Sequence, residues 1–184
     1  IDETLFHTTA RIQVKKNGKL ISDLDNIEFN NYKLKSGEEY DFGQFKSAKI
    51  FNTTSTPIAK MINKAKAIIK NSVKAGSKVI VVTARGDMDD KELFINTFKA
   101  QGLDMENVYI ERAGNFGLVD SAKNKEVVFR KYLETGVYKR IRLFDDAIDN
   151  LYALLMLRDE FPDVAFEAYR VMKDGSIKSI RPKQ

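Results

Sequence analysis

The chain has 184 residues, no cysteine, one histidine and a net charge of +5. Without cysteine it has no disulfide or thiolate metal site, and one histidine excludes a zinc site built from several histidines. No apolar run approaches the roughly 18 residues that a membrane helix needs. We therefore expect one cytoplasmic domain with no membrane partner. Its mild basic charge permits an anionic substrate or nucleic acid without requiring either.

The first part of the chain predicts a hairpin followed by an insert. Residues 10–24, ARIQVKKNGKLISDL, alternate apolar and polar residues around an Asn-Gly turn, which is typical of a β-hairpin. Residues 25–50 are polar and aromatic. They predict an irregular or β-rich insert with turns at Ser36-Gly37 and Gly43.

The rest of the chain predicts alternating helices and strands. A helix capped by Thr56, with Pro57 in its first turn, ends at Gly76. KVIVVTAR, residues 78–85, is nearly all apolar and predicts a strand buried on both faces. Beyond it we expect helices over residues 89–101, 125–135 and 147–160, alternating with strands over 107–112, 139–146 and 164–171, the last strand. This order predicts an α/β fold with a doubly wound parallel sheet.

Polar residues stand where the predicted strands end. Thr83 and Arg85 end one strand, Asp145 and Asp146 end another, and Asp2 would end a strand preceding residue 1. Ligands of such sheets bind beyond the carboxyl ends of the strands, so we expect these side chains to converge. Neighbouring carboxylates repel one another unless a cation joins them, and Mg²⁺ takes oxygen ligands. We therefore predict that Asp2, Asp145 and Asp146 hold Mg²⁺.

Two further side chains suit a phosphorylated substrate. The Thr83 hydroxyl can donate a hydrogen bond to a phosphoryl oxygen, and a nearby lysine can neutralise developing negative charge. Lys125 and Lys123 both lie at the start of the helix that precedes the acidic strand. Lys125 is favoured because it lies closer to the apolar face of that helix.

Four stretches resemble, in order, the motifs of the haloacid dehalogenase-like (HAD) superfamily, and together they cover nearly the whole chain: IDETL (1–5), VIVVTAR (79–85), SAKNKEVVF (121–129) and RLFDDAIDN (142–150). The resemblance implies a single Rossmann-like domain over residues 1–184, with a flap hairpin and small cap within residues 10–50. The chain is also similar to phosphatases of this superfamily encoded by tailed phages, which implies the host cytoplasm as its location.

The resemblance implies a Mg²⁺-dependent phosphomonoester hydrolase that forms an aspartyl-phosphate on a small phosphorylated substrate, a nucleotide or a polynucleotide end. Asp2 matches the acid that protonates the leaving oxygen and then activates water. Thr83 and Lys125 match the catalytic hydroxyl and lysine, and Asn150 helps to hold the site. Arg85 is predicted to bind substrate with Thr83. The nucleophile matches the position directly before Ile1, so we expect it and the first core strand upstream of residue 1.

Alternatives stay open for these site residues. Asp2 suits a surface acid, Thr83 a hydroxyl that satisfies its own turn, and Asp145-Asp146 a helix N-cap. Arg85 suits an ion pair with Asp87 or Asp89.

Other polar and aromatic residues favour structural roles. His7 fits a satisfied structural imidazole better than a contact to the leaving group. Five aromatic residues fit the core of the cap better than a base-stacking platform: Phe29, Tyr32, Tyr40, Phe42 and Phe45. A catalytically inactive scaffold or structural protein on the same fold is the second interpretation, because the sequence contains no match to the nucleophile.

Overall fold

A computed structural model describes residues 1–117 and 120–182, apart from the side chain of Asn30. The first elements are β1 (Phe6–His7), β2 (Ile12–Lys16), β3 (Lys19–Leu24), α1 (Asn26–Asn31), β4 (Glu38–Asp41), α2 (Gly43–Lys46) and α3 (Ala48–Thr54). They continue with β5 (Thr56–Pro57), α4 (Ala59–Ala75), β6 (Val79–Thr83), α5 (Lys91–Lys99), β7 (Val108–Arg112), α6 (Ser121–Leu133), β8 (Arg140–Asp145), α7 (Ile148–Leu155), β9 (Ala165–Val171) and β10 (Ile177–Ile180).

The predicted hairpin is confirmed as β2 and β3. Asn17 and Gly18 join the two strands with φ values of 52° and 74°, the two positive values that a type I′ turn requires. β2 pairs with β4 on its other edge, which makes a three-stranded antiparallel sheet.

The prediction of an irregular or β-rich insert is wrong for half of residues 25–50, which are helical. Besides β4, this segment holds α1, α2 and the start of α3. Asp25 opens α1 with a capping box, because its side chain accepts from the N–H of Glu28 while Glu28 accepts from the N–H of Asp25. Gly43 begins a helix, whereas the turn at Gly37 is confirmed by its φ of 79°.

The predicted start of the long helix α4 is also wrong. Thr56 and Pro57 pair with β1 instead of opening the helix, and Ile58 is the N-cap. The predicted end is confirmed, since Gly76 closes the helix with a φ of 69°. β9 is not the last strand, because β10 returns antiparallel to it.

The architecture is mixed α/β with parallel strand pairs. β6 pairs in parallel with β7, and β8 pairs in parallel with β9. Among the described residues these pairs belong to separate small sheets rather than one continuous sheet. β6 is correspondingly not buried on both faces as predicted, since residues 79–82 are only half-buried.

An aromatic core holds the N-terminal turn, residues 1–6, against helices α3 and α5. Phe6 packs on Phe51 of α3 and Phe98 of α5, with ring centroids 5.2 and 5.5 Å apart, and all three rings are buried. The backbone oxygen of Ile1 accepts hydrogen bonds from the N–H groups of Thr4, Leu5 and Phe6. Residues 2–4 are thereby held close to the β6 and β8 ends. No described helix is long and apolar enough to cross a bilayer.

Candidate functional site

The N-terminal turn joins the carboxyl ends of two strands. Arg85, two residues after β6, donates from Nε to Oδ2 of Asp2 at 2.9 Å and from Nη2 to Oδ1 at 2.7 Å. Thr4 Oγ1 donates to Oδ1 of Asp146, directly after β8, at 3.0 Å. Polar groups from three distant parts of the sequence therefore meet at one place, as the sequence predicts for parallel strands.

Arg85 is buried and fully engaged within the protein. Its Nη1 donates to the backbone oxygen of Phe45 at 3.0 Å, and its guanidinium lies 4.7 Å from the centroid of the Phe45 ring. The alternative pairing of Arg85 with Asp87 or Asp89 is wrong. Asp87 lies 3.7 Å from Arg112, and Asp89 accepts from a backbone N–H of α3. Arg85 thus links Asp2 to the backbone of helix α2, and its contact with substrate stays a prediction.

The charge of Arg85 also sets the protonation of Asp2. Burial alone would raise the pKa of Asp2, but the hydrogen bonds and positive charge of Arg85 outweigh burial and hold that pKa below its ordinary value. Asp2 is therefore a carboxylate at neutral pH, with both of its oxygens oriented by Arg85. The alternative prediction that Asp2 is a surface acid is wrong, because its carboxylate is largely buried and paired with Arg85.

Lys125 and Asp145 form a buried ion pair. Lys125 Nζ lies 2.7 Å from Asp145 Oδ2, and the two residues are 6% and 4% exposed. Lys123, the other candidate, lies exposed on the same helix. Burial would raise the pKa of Asp145, but the charge of Lys125 and its hydrogen bond lower it below the ordinary value. Of the two lysines, only Lys125 reaches the carboxylate pair.

Asp145 is also tied to the start of α7. Its Oδ1 accepts from the N–H of Ala147 at 2.9 Å and from Nδ2 of Asn150 at 3.1 Å. This is a turn-stabilising role related to the N-cap alternative, although the N-cap of α7 itself is Ala147. Asp145 can pair with Lys125 and stabilise this turn at the same time, because an ionised carboxylate offers about four acceptor sites.

Asp146 has a different electrostatic environment. Burial and the negative charge of Asp145 raise its pKa, and the hydrogen bond from Thr4 opposes this shift. No lysine or arginine of the described residues forms an ion pair with Asp146. Arg170 Nε donates to the backbone oxygen of Asp146 at 3.4 Å rather than to its carboxylate, so among the described residues the carboxylate has no ion-pair partner. Its hydrogen-bond partner Thr4 was not predicted, although it lies inside the IDETL stretch.

Thr83 lies at the base of the site. It is 1% exposed, and its Oγ1 accepts from the backbone N–H of Arg85 at 3.1 Å. That bond agrees with the turn-stabilising alternative. It occupies an acceptor position of the hydroxyl, so donation of the O–H to a phosphoryl oxygen stays a prediction.

The backbone nitrogen of Ile1 lies within the field of these charges. Burial and the positive charge of Lys125 lower the pKa of the α-amino group, while the carboxylates of Asp2, Asp145 and Asp146 act in the opposite direction.

His7 lies outside this group of residues. Its Nδ1 is 2.8 Å from Oε2 of Glu3, and Glu3 Oε1 accepts from the N–H of Thr8 at 3.0 Å. These contacts close the turn before β2 and agree with the favoured structural role of the imidazole.

Four of the five aromatic residues predicted to form a cap core pack on one another. Tyr40 lies 4.9 Å from Phe29, 5.7 Å from Phe42 and 6.3 Å from Tyr32 between ring centroids. These contacts suit a small core better than a base-stacking platform, and the role of the segment as a cap stays a prediction. Phe45 is the exception among the five predicted residues, because its ring covers the Arg85 guanidinium.

The described residues contain no group of three or more His, Asp or Glu side chains placed to hold a metal ion. Arg85 and Lys125 already supply cations to Asp2 and Asp145. The carboxylate oxygens nevertheless suit Mg²⁺ as a donor set, and the unbalanced charge of Asp146 beside Asp145 favours a bound cation. A magnesium site therefore stays a prediction that centres on Asp146.

No protein-family model, curated protein or solved structure matches this chain.

Proposed function

We propose that this protein is a Mg²⁺-dependent phosphomonoester hydrolase of the HAD type, with a doubly wound parallel sheet. The observation that supports it is that the N-terminal turn brings Asp2 and Asp146 to the strand ends at which the buried Lys125–Asp145 pair lies. The chain order of these residues is the order of the HAD motifs that they resemble. A protein surface without function has no need for a buried lysine that pairs with Asp145, one of two adjacent acids.

The proposed reaction proceeds in two displacements on phosphorus. An aspartate bonded to the Ile1 nitrogen forms an oxygen–phosphorus bond, and the bond from phosphorus to the substrate's alcohol oxygen breaks. Water then attacks the phosphorus of the aspartyl-phosphate, which releases inorganic phosphate and regenerates the carboxylate. Lys125 offsets the negative charge of the phosphoryl group, and the Thr83 hydroxyl donates to one of its oxygens.

Asp2 moves the proton in both displacements. It donates a proton to the departing alcohol oxygen and later takes one from the attacking water. Arg85 keeps Asp2 ionised in the structure, which suits the second step. Entry of a phosphate dianion beside Asp2 raises its pKa, because like charges disfavour the ionised form, and this prepares it for the first step.

Asp146, with Asp145 beside it, would hold the magnesium ion, whereas the side chain of Asp2 is engaged by Arg85 and serves the proton transfers. When bound, Mg²⁺ supplies positive charge that offsets the phosphate dianion and the adjacent carboxylates. The chain's own cations leave Asp146 unbalanced, so this residue has the most to gain from an added cation.

A nucleotide or a polynucleotide end is the proposed substrate class. The net charge of +5 favours an anionic substrate, and the cap segment is small. Both features are compatible with a substrate that extends beyond its phosphate.

Phosphate release tests this proposal. The protein is expressed from its gene together with any residues that the gene encodes before Ile1. The residue directly before Ile1 is identified from the gene sequence. Inorganic phosphate is measured with nucleoside monophosphates, sugar phosphates and oligonucleotides phosphorylated at one end, in Mg²⁺ and in EDTA. We expect release that requires Mg²⁺ and is greatest with nucleotides or oligonucleotides. No release from any of these phosphomonoesters would contradict the proposal.

A matched pair of variants tests the magnesium residues. Asp146→Ala should abolish Mg²⁺-dependent release while the protein stays folded, as judged by circular dichroism. Asp149→Ala, an exposed acid in the first turn of α7, is the control and should retain activity. Full activity in Asp146→Ala would show that the ion is held elsewhere.

A second candidate function is an inactive scaffold on the same fold. It is favoured by the ion pairs that Asp2 and Asp145 already make with Arg85 and Lys125, because a site that needs no metal can satisfy its acids internally. An aspartate before Ile1 in the gene together with phosphate release would exclude this candidate. A different residue there and no release would favour it.

A further inference from the structure

A cavity of about 500 Å³ lies between β6 and β8. Residues 79–82 of β6 and 140–145 of β8 line it, and α4 and α6 add apolar side chains that include Met61, Ala65 and Val128. Ile1 lines the same cavity together with Asp145. The cavity therefore reaches the end of the sheet at which the candidate site lies.

The two strands beside the cavity run in the same direction. Their carboxyl ends are joined through the N-terminal turn, because Asp2 binds Arg85 after β6 and Thr4 binds Asp146 after β8. Their other ends also meet, since Lys78 Nζ lies 5.9 Å from the ring of Tyr138. β6 and β8 are thus parallel neighbours separated by the cavity.

Each of these strands has one edge without a strand neighbour among the described residues. β6 pairs only with β7, and β8 pairs only with β9. In a strand, alternate backbone N–H and C=O groups point to opposite edges, so a row of donors and acceptors from each strand faces the cavity. Backbone groups that face an apolar space require partners. Only another strand supplies donors and acceptors at the spacing of both rows.

We infer that this cavity is the binding site of one extended apolar β-strand, parallel to β6 and β8, which produces the strand order β7-β6-strand-β8-β9. β6 has five residues and β8 has six, so the occupant needs about the same length. The occupant is a polypeptide segment bonded to the Ile1 nitrogen, because Ile1 lines the cavity beside Asp145. The inference deepens the proposed function and rests on it only for the residue next to Ile1, where the proposed nucleophile belongs.

The occupant is apolar on both faces. The lining side chains of β6 are Val79, Ile80, Val81 and Val82, which point to alternate faces of the strand. A strand between β6 and β8 is covered on the same two faces, and strands covered in this way are continuous runs of β-branched and other apolar residues. Polar residues fit only at its start, where the cavity is lined by Ser77, Lys78 and Tyr138.

Backbone amide exchange tests the inference without relying on activity. The 184-residue chain is compared with a chain extended before Ile1 by five valine or isoleucine residues followed by one aspartate. We expect exchange in Val79–Thr83 and Arg140–Asp145 to slow by about tenfold or more in the extended chain, with a higher melting temperature. Exchange in β2 and β3, which lie in a different sheet, should not change.

Two control extensions separate strand pairing from simple filling of an apolar space. One replaces the five apolar residues by glycine and serine, and the other keeps them but has proline in the middle, which removes a backbone donor. Neither control should slow exchange as the apolar strand does. Unchanged exchange with the apolar strand, or equal slowing with proline, would overturn the inference. Slowed exchange without phosphate release would leave it intact and contradict only the proposed function.

Discussion

At the scale of single residues, the Lys125–Asp145 pair makes a clear prediction about stability. Lys125→Met leaves Asp145 buried without its cation, and loss of one partner of a buried pair costs about 3–5 kcal/mol. Urea unfolding followed by circular dichroism measures this loss. Lys123→Met changes an exposed lysine of the same helix and should alter the free energy of unfolding by less than about 0.5 kcal/mol. Equal stability of the two variants would contradict the buried pair.

Asp146 makes the opposite prediction, because its pKa is raised in the folded chain by burial and by Asp145. Its ionised form destabilises the fold above that pKa, and the penalty declines as pH falls below it and is gone below the unfolded pKa of about 3.9. Asp146→Asn should therefore raise the free energy of unfolding at pH 7 in EDTA, by about 1.4 kcal/mol for each unit of pKa difference. The amide oxygen can still accept from Thr4. Asp149→Asn is the control, and a less stable Asp146→Asn would contradict the prediction.

Asp145 has a lowered pKa and so contributes stability with the reverse dependence on pH. Its contribution is complete above the unfolded pKa of about 3.9 and is lost as pH falls through the folded value. Unfolding measured from pH 7 down to pH 2 should show a steeper loss of stability below pH ~4 in the wild type than in Asp145→Asn. Parallel curves for the two proteins would show that the carboxylate is not stabilised by Lys125.

At the scale of elements, Gly114 determines how closely the loops after β6 and β7 approach. A Cβ at this position would lie 2.4 Å from the oxygen of Ala84 and 2.6 Å from the nitrogen of Gly86. Gly114→Ala should therefore displace backbone and lower stability by about 3 kcal/mol, the upper end for overpacking. In Gly136→Ala nothing lies within 4 Å of the new atom, so only the positive φ costs energy, about 1–2 kcal/mol. Thermal unfolding of both variants compares these losses.

Elements defined by local chemistry were predictable from the sequence, and those defined by distant partners were not. The Asn17-Gly18 turn and the helix end at Gly76 depend on backbone preferences of a few residues. The start of α4 depends instead on the pairing of Pro57 with Phe6, which lies far away in the sequence. The sequence prediction missed α1, although the residues of its capping box, Asp25 and Glu28, were visible, because the surrounding polar composition suggested a loop.

At the scale of the whole molecule, the order of motifs predicted which residues converge but not their partners. Asp2 and Asp146 meet through the N-terminal turn as expected, whereas the bond from Arg85 to Asp2 spans 83 positions. Such pairings depend on how the strands and the cap are stacked, which periodicity does not encode. The separation of β6 from β8 was likewise not predictable, because an apolar strand has the same pattern whether one or both of its edges are paired.

That separation makes a prediction for the 184-residue chain itself. Residues 168–170 of β9 are paired on both edges, by β8 and β10, whereas β6 and β8 each have one paired edge among the described residues. Amides on unpaired edges exchange through small local openings, while those paired on both sides require larger ones. Hydrogen exchange followed by NMR should therefore divide the amides of Val79–Thr83 and Arg140–Asp145 into alternating fast and slow groups, with those of residues 168–170 uniformly slow. Uniform protection of β6 and β8 would mean that both edges are already paired, and the cavity would then not be open to a strand.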